Sequence, residues 1–147
     1  MAYTGACACG AVTAKIAAAA AIAVRQCWCR QCQQLAGGTH STNAMFKTDD
    51  VTINGALAAH SYTAASGNTL TQSFCAACGT PVMAQVSARP QFRTMRVGFI
   101  TPPHDLIPQM VIWTDEAPQW AVFPEDLERH AKQPPPPPVT PPAPKAS

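Results

Sequence analysis

Apolar and polar residues alternate in several short stretches of the chain, and this pattern predicts a mainly β domain. In the clearest case Val12, Ala14 and Ile16 alternate with Thr13, Lys15 and Ala17. A period of two places alternate side chains on one face of a strand. Further strands are predicted by alternation or by short apolar runs bounded by turn residues, at 22–24, 51–55, 60–63, 70–74, 82–86, 94–99 and 110–113. In 94–99 the residues expected to face inward are Met95, Val97 and Phe99.

Helix is expected to be scarce. Prolines at positions 102, 103, 108, 118 and 124 exclude long helices from the second half of the chain. One short terminal helix is predicted at 125–132, after Pro124, and the alanine run at 17–21 is interpreted as a turn between two strands. Eight of the fourteen residues after Gln133 are proline. We therefore expect one domain at 1–132 and a proline-rich disordered tail at 133–147.

The composition indicates a small folded domain that needs an additional stabiliser. Apolar residues make up 47% of the chain, but many are alanine, and the formal net charge is only +2. A bound metal can supply the missing folding free energy. The basic residues are scattered, so no nucleic-acid partner is expected. No stretch approaches the length of about 20 apolar residues that spans a membrane, so no membrane partner is expected either.

The seven cysteines form three groups with short internal spacings, which are Cys7 and Cys9, then Cys27, Cys29 and Cys32, then Cys75 and Cys78. An odd number arranged as C-x-C and C-x-x-C favours metal ligation in a reducing compartment over a disulfide framework. We therefore expect a cytoplasmic protein. The alternative, a secretory signal containing the apolar run at 16–24, would have to discard the first cysteine pair on cleavage.

Seven thiols divide most simply into a closed four-ligand zinc site and a three-ligand zinc site with an open position. Cys7 and Cys9, predicted to leave one face of an extended strand, would join Cys75 and Cys78, whose glycine-ended turn is typical of a zinc knuckle. Cys27, Cys29 and Cys32, here called the cysteine triplet, would form the open site. A different possibility is that both zinc ions are structural, with a histidine closing the triplet. The candidates for that ligand are His40, His60, His104 and His130.

A redox role for Cys29 and Cys32 as a thioredoxin-like pair is less favoured, because the pattern around them does not predict the strand and helix such a pair requires. The sequence offers no His, Asp or Glu whose spacing marks it as a general base.

The order of the motifs G-A-C-A-C-G-A-V, C-W-C-R-Q-C-Q-Q-L-A-G, S-F-C-A-A-C-G-T-P and R-V-G-F-I, followed by Trp113 and Trp120, resembles the glutathione-dependent formaldehyde-activating enzyme family, which includes centromere protein V. The resemblance covers about residues 4–130. It implies a zinc-binding β-tent fold. It also implies a structural zinc held by the four-cysteine set and a second, catalytic zinc held by the cysteine triplet.

The resemblance further implies a carbon-sulfur lyase that acts on a thiol such as glutathione and its adduct with a small aldehyde such as formaldehyde. The chain departs from the family at Trp28, Gln33, Thr101 and Val111, where the family often has His, Arg, Asp and His. Trp28 is either a pocket wall or an aromatic packed under the site, and Arg30 either meets a substrate carboxylate or is merely exposed. The alternative function is a non-catalytic zinc-stapled binding module.

Overall fold

Residues 2–136 are described by a computed structural model of the chain. This part contains eleven short strands and a single α-helix. The strands are β1 Tyr3–Ala6, β2 Thr13–Ile16, β3 Ala23–Cys27, β4 Ser41–Lys47, β5 Val51–Asn54, β6 Leu57–Thr63, β7 Thr69–Cys75, β8 Pro81–Val86, β9 Phe92–Arg96, β10 Met110–Ile112 and β11 Glu128–Arg129. The helix is α1 Arg30–Ala36, and 3-10 turns occur at Thr48–Asp50, Val97–Phe99 and Thr114–Glu116. The prediction of a mainly β domain is confirmed.

The strands form two sheets. The smaller sheet has the order β1-β2-β5, and the larger has the order β11-β10-β3-β4-β9-β8-β7-β6. Strand β10 runs parallel to its neighbours β3 and β11, whereas the other pairs are antiparallel. Within the larger sheet short turns join β6, β7, β8 and β9 in succession. Strand β3 reaches β4 through α1, and β4 pairs with β9 across a long stretch of chain that includes β5 of the smaller sheet.

The main core lies between the two sheets. Val12, just before β2, and Ala14 and Ile16 within β2 are buried as the alternation predicted, and Phe46 and Met95 of the larger sheet belong to the same core. The sheets approach closely where β1 passes the turn after β9. A β-carbon at Gly5 would lie 2.5 Å from Phe99 Cε1, so this glycine is required by packing.

The two faces of the larger sheet have different chemistry. Ala44 and Phe46 of β4 face the core, and Ser41 and Asn43, at the alternate positions of the same strand, face the other way. Helix α1 contacts β4 and leaves the end of β3, whose Cys27 is paired with Ser41. We call this second face, which carries Cys27, Ser41 and Asn43, the triplet face. It places polar side chains around the three thiols.

Two sequence predictions about local structure are wrong. No helix forms at 125–132, because the backbone there pairs with β10: His130 N–H donates to Val111 O at 2.9 Å. An isolated helix of eight residues is also marginal in water. The predicted strand at 94–99 ends at Arg96, and the turn Val97–Phe99 then directs Phe99 into the core.

The predicted tail begins inside the described part and ends outside it. The side chain of Gln133 accepts a hydrogen bond from Trp113 Nε1 at 3.1 Å, and Pro134 is buried. Residues 137–147, most of the predicted tail, lie outside the described residues.

Candidate metal centres

The first cluster of thiols joins two turns that are far apart in sequence. Cys7 and Cys9 lie in the turn after β1, whereas Cys75 is the last residue of β7 and Cys78 lies in the turn that follows it. All four sulfurs lie within 4.8 Å of one another, and the Cys7–Cys9 and Cys9–Cys75 pairs are 3.6 Å and 3.8 Å apart. Four sulfurs bound to one zinc at about 2.3 Å would be separated by about 3.8 Å. The spacing and the donor atoms fit a tetrahedral zinc ion.

Backbone N–H groups point at the sulfurs of this cluster. Val12 N–H donates to Cys7 Sγ at 3.2 Å, and the Ala77 and Cys78 N–H groups donate to Cys75 Sγ, each at 3.4 Å. The bond from Val12 lowers the pKa of Cys7, and the Thr80 hydroxyl lowers the pKa of Cys78 to about 5. Hydrogen bonds of this kind stabilise thiolates, which are the form that binds a metal. The expectation of an extended backbone is wrong for Cys7 and Cys9, since a turn brings their sulfurs together.

The cysteine triplet is assembled where β3 passes into α1. Cys27 is the last residue of β3, Cys29 is the N-cap of α1, and Cys32 lies in the first turn. Their sulfurs lie within 4.8 Å of one another. Gly37 ends the helix in a left-handed conformation with φ of 81°, as its place after a short helix predicts. Ile112 is buried against Cys27 and Cys32 and shields the triplet from water.

The three thiols of the triplet differ in how readily they ionise. Hydrogen bonds from Cys27 and Cys29 lower the pKa of Cys32 to about 3, with smaller contributions from Arg96 and Ser41, while burial opposes them. Hydrogen bonding with Cys29 and Cys32 and burial raise the pKa of Cys27. The three thiols share their protons as one group, and a metal bound by all three must displace the protons that remain.

A chain of hydrogen bonds supports the triplet from the sheet. Arg96 Nη1 donates to Asn43 Oδ1 at 2.6 Å, and Asn43 Nδ2 donates to Ser41 Oγ at 2.9 Å. The Ser41 hydroxyl in turn lowers the pKa of Cys32. Residues from β4 and β9 thereby hold the thiolate end of the site in place.

No histidine joins the triplet within residues 2–136. The group of potential ligand atoms around it contains the three sulfurs alone. The ring of His40 instead lies 5.3 Å from that of Trp28, and His60 stacks on Tyr62. Trp28 is 2% exposed and also packs edge-on against Trp120 and Phe123, as expected for an aromatic packed under the site rather than a pocket wall. Three sulfur donors with no fourth protein ligand are the donor set of a zinc site with an open position.

A cavity of about 410 Å³ lies between α1 and the β6–β7 pair. Burial raises the pKa of Tyr62, which lines the cavity, to about 12, and the charges of Cys29 and Cys32 contribute to this shift. The Gln72 amide nitrogen nearby is buried without a hydrogen-bond partner in the described residues. The lining contains no Asp, Glu, Lys or Arg and consists of Gln31, Gln34, Leu35, His60, Tyr62 and Gln72. Such a cavity suits a neutral, hydrogen-bonding group of a ligand.

Comparison with known proteins agrees with this arrangement. A family profile described as glutathione-dependent formaldehyde-activating enzyme matches residues 2–116, which include both cysteine clusters. The chain belongs to this family. A crystal structure of a Rhodobacter sphaeroides protein is similar to the chain with a TM-score of 0.56 and 22% identity, over 69% of this chain and 90% of that one. At this identity the likeness concerns the fold alone. No curated protein matches the chain significantly.

Membership of the glutathione-dependent formaldehyde-activating enzyme family does not by itself decide the redox alternative. The expectation that Cys29 and Cys32 lack a flanking strand and helix is wrong, since β3 precedes them and α1 contains Cys32. However, Cys27 lies within the same 4.8 Å group, so the structure offers a three-thiol set rather than an isolated pair. Within residues 2–136, the one α-helix is much too short to span a bilayer.

Several residues of the site carry no recognisable signal in the sequence. Tyr62 and Gln72 reach the cavity from strands thirty and forty positions after Cys32, and only the strand order brings them near it. Arg25, two positions before Cys27, could have been placed on the face of Cys27 by alternation alone. Arg30, the arginine considered from sequence, is exposed, and its backbone N–H donates to Glu116 Oε2 at 2.5 Å.

Proposed function

We propose that the protein is a zinc-dependent carbon-sulfur lyase acting on the adduct of a thiol such as glutathione with a small aldehyde such as formaldehyde. The observation that carries the proposal is the cysteine triplet, with Cys27 and Cys32 buried and no fourth protein ligand among residues 2–136, in a chain of this family. In this proposal Cys7, Cys9, Cys75 and Cys78 hold a structural zinc, and Cys27, Cys29 and Cys32 hold a second one. A zinc ion with an open position supplies Lewis acidity toward a substrate sulfur or oxygen.

The chain's own residues position the substrate and its protons. In adduct formation the thiol sulfur attacks the carbonyl carbon, the S–H proton is released, and the former carbonyl oxygen gains a proton. The phenol of Tyr62 remains protonated at neutral pH, because its pKa is raised to about 12. It can therefore donate a hydrogen bond to the oxygen on which negative charge develops. The cavity beside it would receive the amide-bearing part of the thiol.

The proposal includes a reducing compartment such as the cytoplasm. All seven cysteines are free thiols, and both clusters need their sulfurs reduced to bind a metal. Cys9 and Cys78 are exposed, so an oxidising environment would compete directly with metal binding at the first cluster.

The test is the rate at which glutathione and formaldehyde interconvert with their adduct. NMR follows this rate in the presence of the zinc-loaded protein. We expect acceleration over the buffer reaction, loss of it in Cys32→Ser, and a reduction of about a hundredfold in Tyr62→Phe, the usual effect of removing one such donor. Gln34→Ala removes another side chain of the cavity lining and serves as the control for general disturbance of the cavity. A zinc-loaded protein that leaves the rate unchanged would refute the lyase and favour the zinc-stapled binding module.

A further inference from the structure

Two arginines are buried on the triplet face of the larger sheet. Arg25 and Arg96 are each 7% exposed. Arg25 is paired with Asn43 across β3 and β4, and Asn43 is paired with Arg96 across β4 and β9. The three residues therefore form a row on one face, next to the row that holds Cys27 and Ser41.

No carboxylate neutralises these guanidinium groups. Among residues 2–136, ion pairs join His130 to Glu128 and Lys132 to Asp115, and neither involves Arg25 or Arg96. None of the eight acidic side chains of the chain is buried. Arg96 has the neutral Asn43 as its partner at 2.6 Å, and Arg25 Nε is buried with no hydrogen-bond partner in the described part. A buried charge is costly unless an opposite charge or hydrogen bonds compensate it.

The opposite charges that reach the two arginines come from the triplet. Arg25 lies two positions before Cys27 on the same face of β3; burial lowers the pKa of Arg25, and the charge of Cys27 opposes that shift. Arg96 adds to the hydrogen bonds from Cys27 and Cys29 that lower the pKa of Cys32. Arg89 also lies near Arg25 and adds positive charge. The carboxylate of Glu116 accepts a hydrogen bond from the backbone N–H of Arg30 at the start of α1. Glu116 is exposed, so solvent screens its charge.

The formal charges leave room for one more anion. Three thiolates contribute −3, a zinc ion contributes +2, and Arg25 with Arg96 contributes +2, which gives +1 for the buried site. A neutral fourth ligand such as water leaves this charge uncompensated, whereas a thiolate neutralises it. In a poorly solvated site that difference is larger than it would be in water.

We propose that Arg25 and Arg96 are specificity-determining residues, which make the open position of the triplet select an anionic sulfur ligand, the thiolate of the substrate. The inference rests on the proposed function, since it concerns the same site. The incoming thiol gives its proton to solvent as it binds, and no electron is transferred. Neither arginine touches the ligand sulfur in this proposal. They act through the positive charge that they place near Cys27 and Cys32.

Thiol binding to cobalt-substituted protein tests the inference without turnover. Cobalt(II) replaces zinc, 2-mercaptoethanol is the probe, and the change in the visible spectrum and the protons released are measured. We expect Arg25→Met and Arg96→Met each to weaken binding at least tenfold, equivalent to about 1.4 kcal/mol. Arg25→Lys and Arg96→Lys, which keep the charge, should remain within about threefold of wild type. Arg93→Met removes an arginine from the opposite face of the same strand, β9, and should bind as wild type does.

The outcomes separate this inference from the proposed function. Methionine variants that hold cobalt and bind the thiol as tightly as wild type overturn the inference, even if wild type is an active lyase. If the methionine variants fail to fold, the lysine variants decide, because a tenfold loss in both would show that charge is not what the site requires. Arginine-dependent thiol binding by a protein that does not accelerate adduct exchange would uphold the inference and refute the lyase.

Discussion

The sulfur of Cys29 lies 3.4 Å from the backbone nitrogen of Cys32 and accepts its N–H, so one side chain both begins α1 and faces the candidate metal position. An N-cap side chain satisfies one of the backbone donors left free in the first turn of a helix. A helix of seven residues has few other sources of stability. The local fold and the donor set of the triplet are therefore established by the same residue.

Serine and alanine at position 29 should separate these two roles. Cys29→Ser keeps an oxygen that can cap α1 but loses the thiolate, and Cys29→Ala loses both. We expect both variants to lose the second zinc and any lyase activity. Cys29→Ala should be less stable than Cys29→Ser by about 1 kcal/mol, the usual effect of removing a cap. Urea unfolding and metal analysis measure the two effects, and equal stability would show that the cap contributes nothing.

The strands and the three cysteine groups were predictable because their signals are local. Alternation over a few residues placed Val12, Ala14 and Ile16 in the core, and short cysteine spacings grouped the ligands. The surroundings of the triplet depend on which strands become neighbours. Asn43 and Arg96 meet only because β4 pairs with β9, some fifty residues away in the chain. No spacing rule predicts such a pairing, and the same holds for the position of Tyr62.

At 125–132 a local sequence signal predicted a helix, but the tertiary structure forms a strand there instead. A proline followed by acidic residues is typical of a helix start. The backbone of Glu128 and Arg129 instead extends the larger sheet beside β10. Tertiary pairing satisfies these backbone groups better than one or two isolated helical turns could.

The two metal centres should differ in what their loss does to the fold. Cys9 and Cys75, whose sulfurs are 3.8 Å apart, are separated by 66 positions, so a metal there closes a long loop. The triplet closes a loop of only six residues. We expect Cys75→Ser to abolish the folded state, since structural zinc supplies on the order of 10 kcal/mol. Cys32→Ser should remain folded with one zinc per chain.

Circular dichroism and elemental analysis of the purified variants measure both predictions. Thr80→Val is a milder control at the four-cysteine centre, because it removes the hydroxyl beside Cys78 Sγ at 3.1 Å but keeps all four ligands. It should retain both zinc ions. A folded Cys75→Ser protein would show that the first centre is dispensable for the fold.

Tyr3 should make stability fall at alkaline pH. Its hydroxyl donates to Asp105 Oδ1 at 2.6 Å, and this bond raises the pKa of Tyr3 to about 12. The unfolded chain has a tyrosine pKa of about 10, so the folded state holds the proton more tightly. The stabilisation is complete below pH 10 and is lost as the pH rises toward 12.

Phenolate absorbance in Tyr62→Phe, which leaves Tyr3 as the single tyrosine, reports this ionisation. Asp105→Asn in the same background should bring the titration of Tyr3 back toward pH 10, since both the carboxylate acceptor and its charge are removed. Titration of Tyr3 near pH 10 with Asp105 in place would contradict the role of this hydrogen bond.

Gln33 should be important for stability although it is not a ligand. Its Nε2 donates to Trp28 O at 2.7 Å and to Glu116 O at 2.9 Å. One buried amide therefore joins α1 to the residue that follows β3 and to the 3-10 turn at Thr114–Glu116. Gln33→Met preserves the length of the side chain but leaves both carbonyls without this donor. Each unsatisfied buried group costs about 1 to 3 kcal/mol, so we expect the free energy of unfolding to fall by about 2 kcal/mol or more, as measured by urea unfolding.

Gln34→Met, at the exposed next position, should change the free energy of unfolding by less than about 0.5 kcal/mol. Equal effects at the two positions would mean that the contacts of Gln33 do not stabilise the fold.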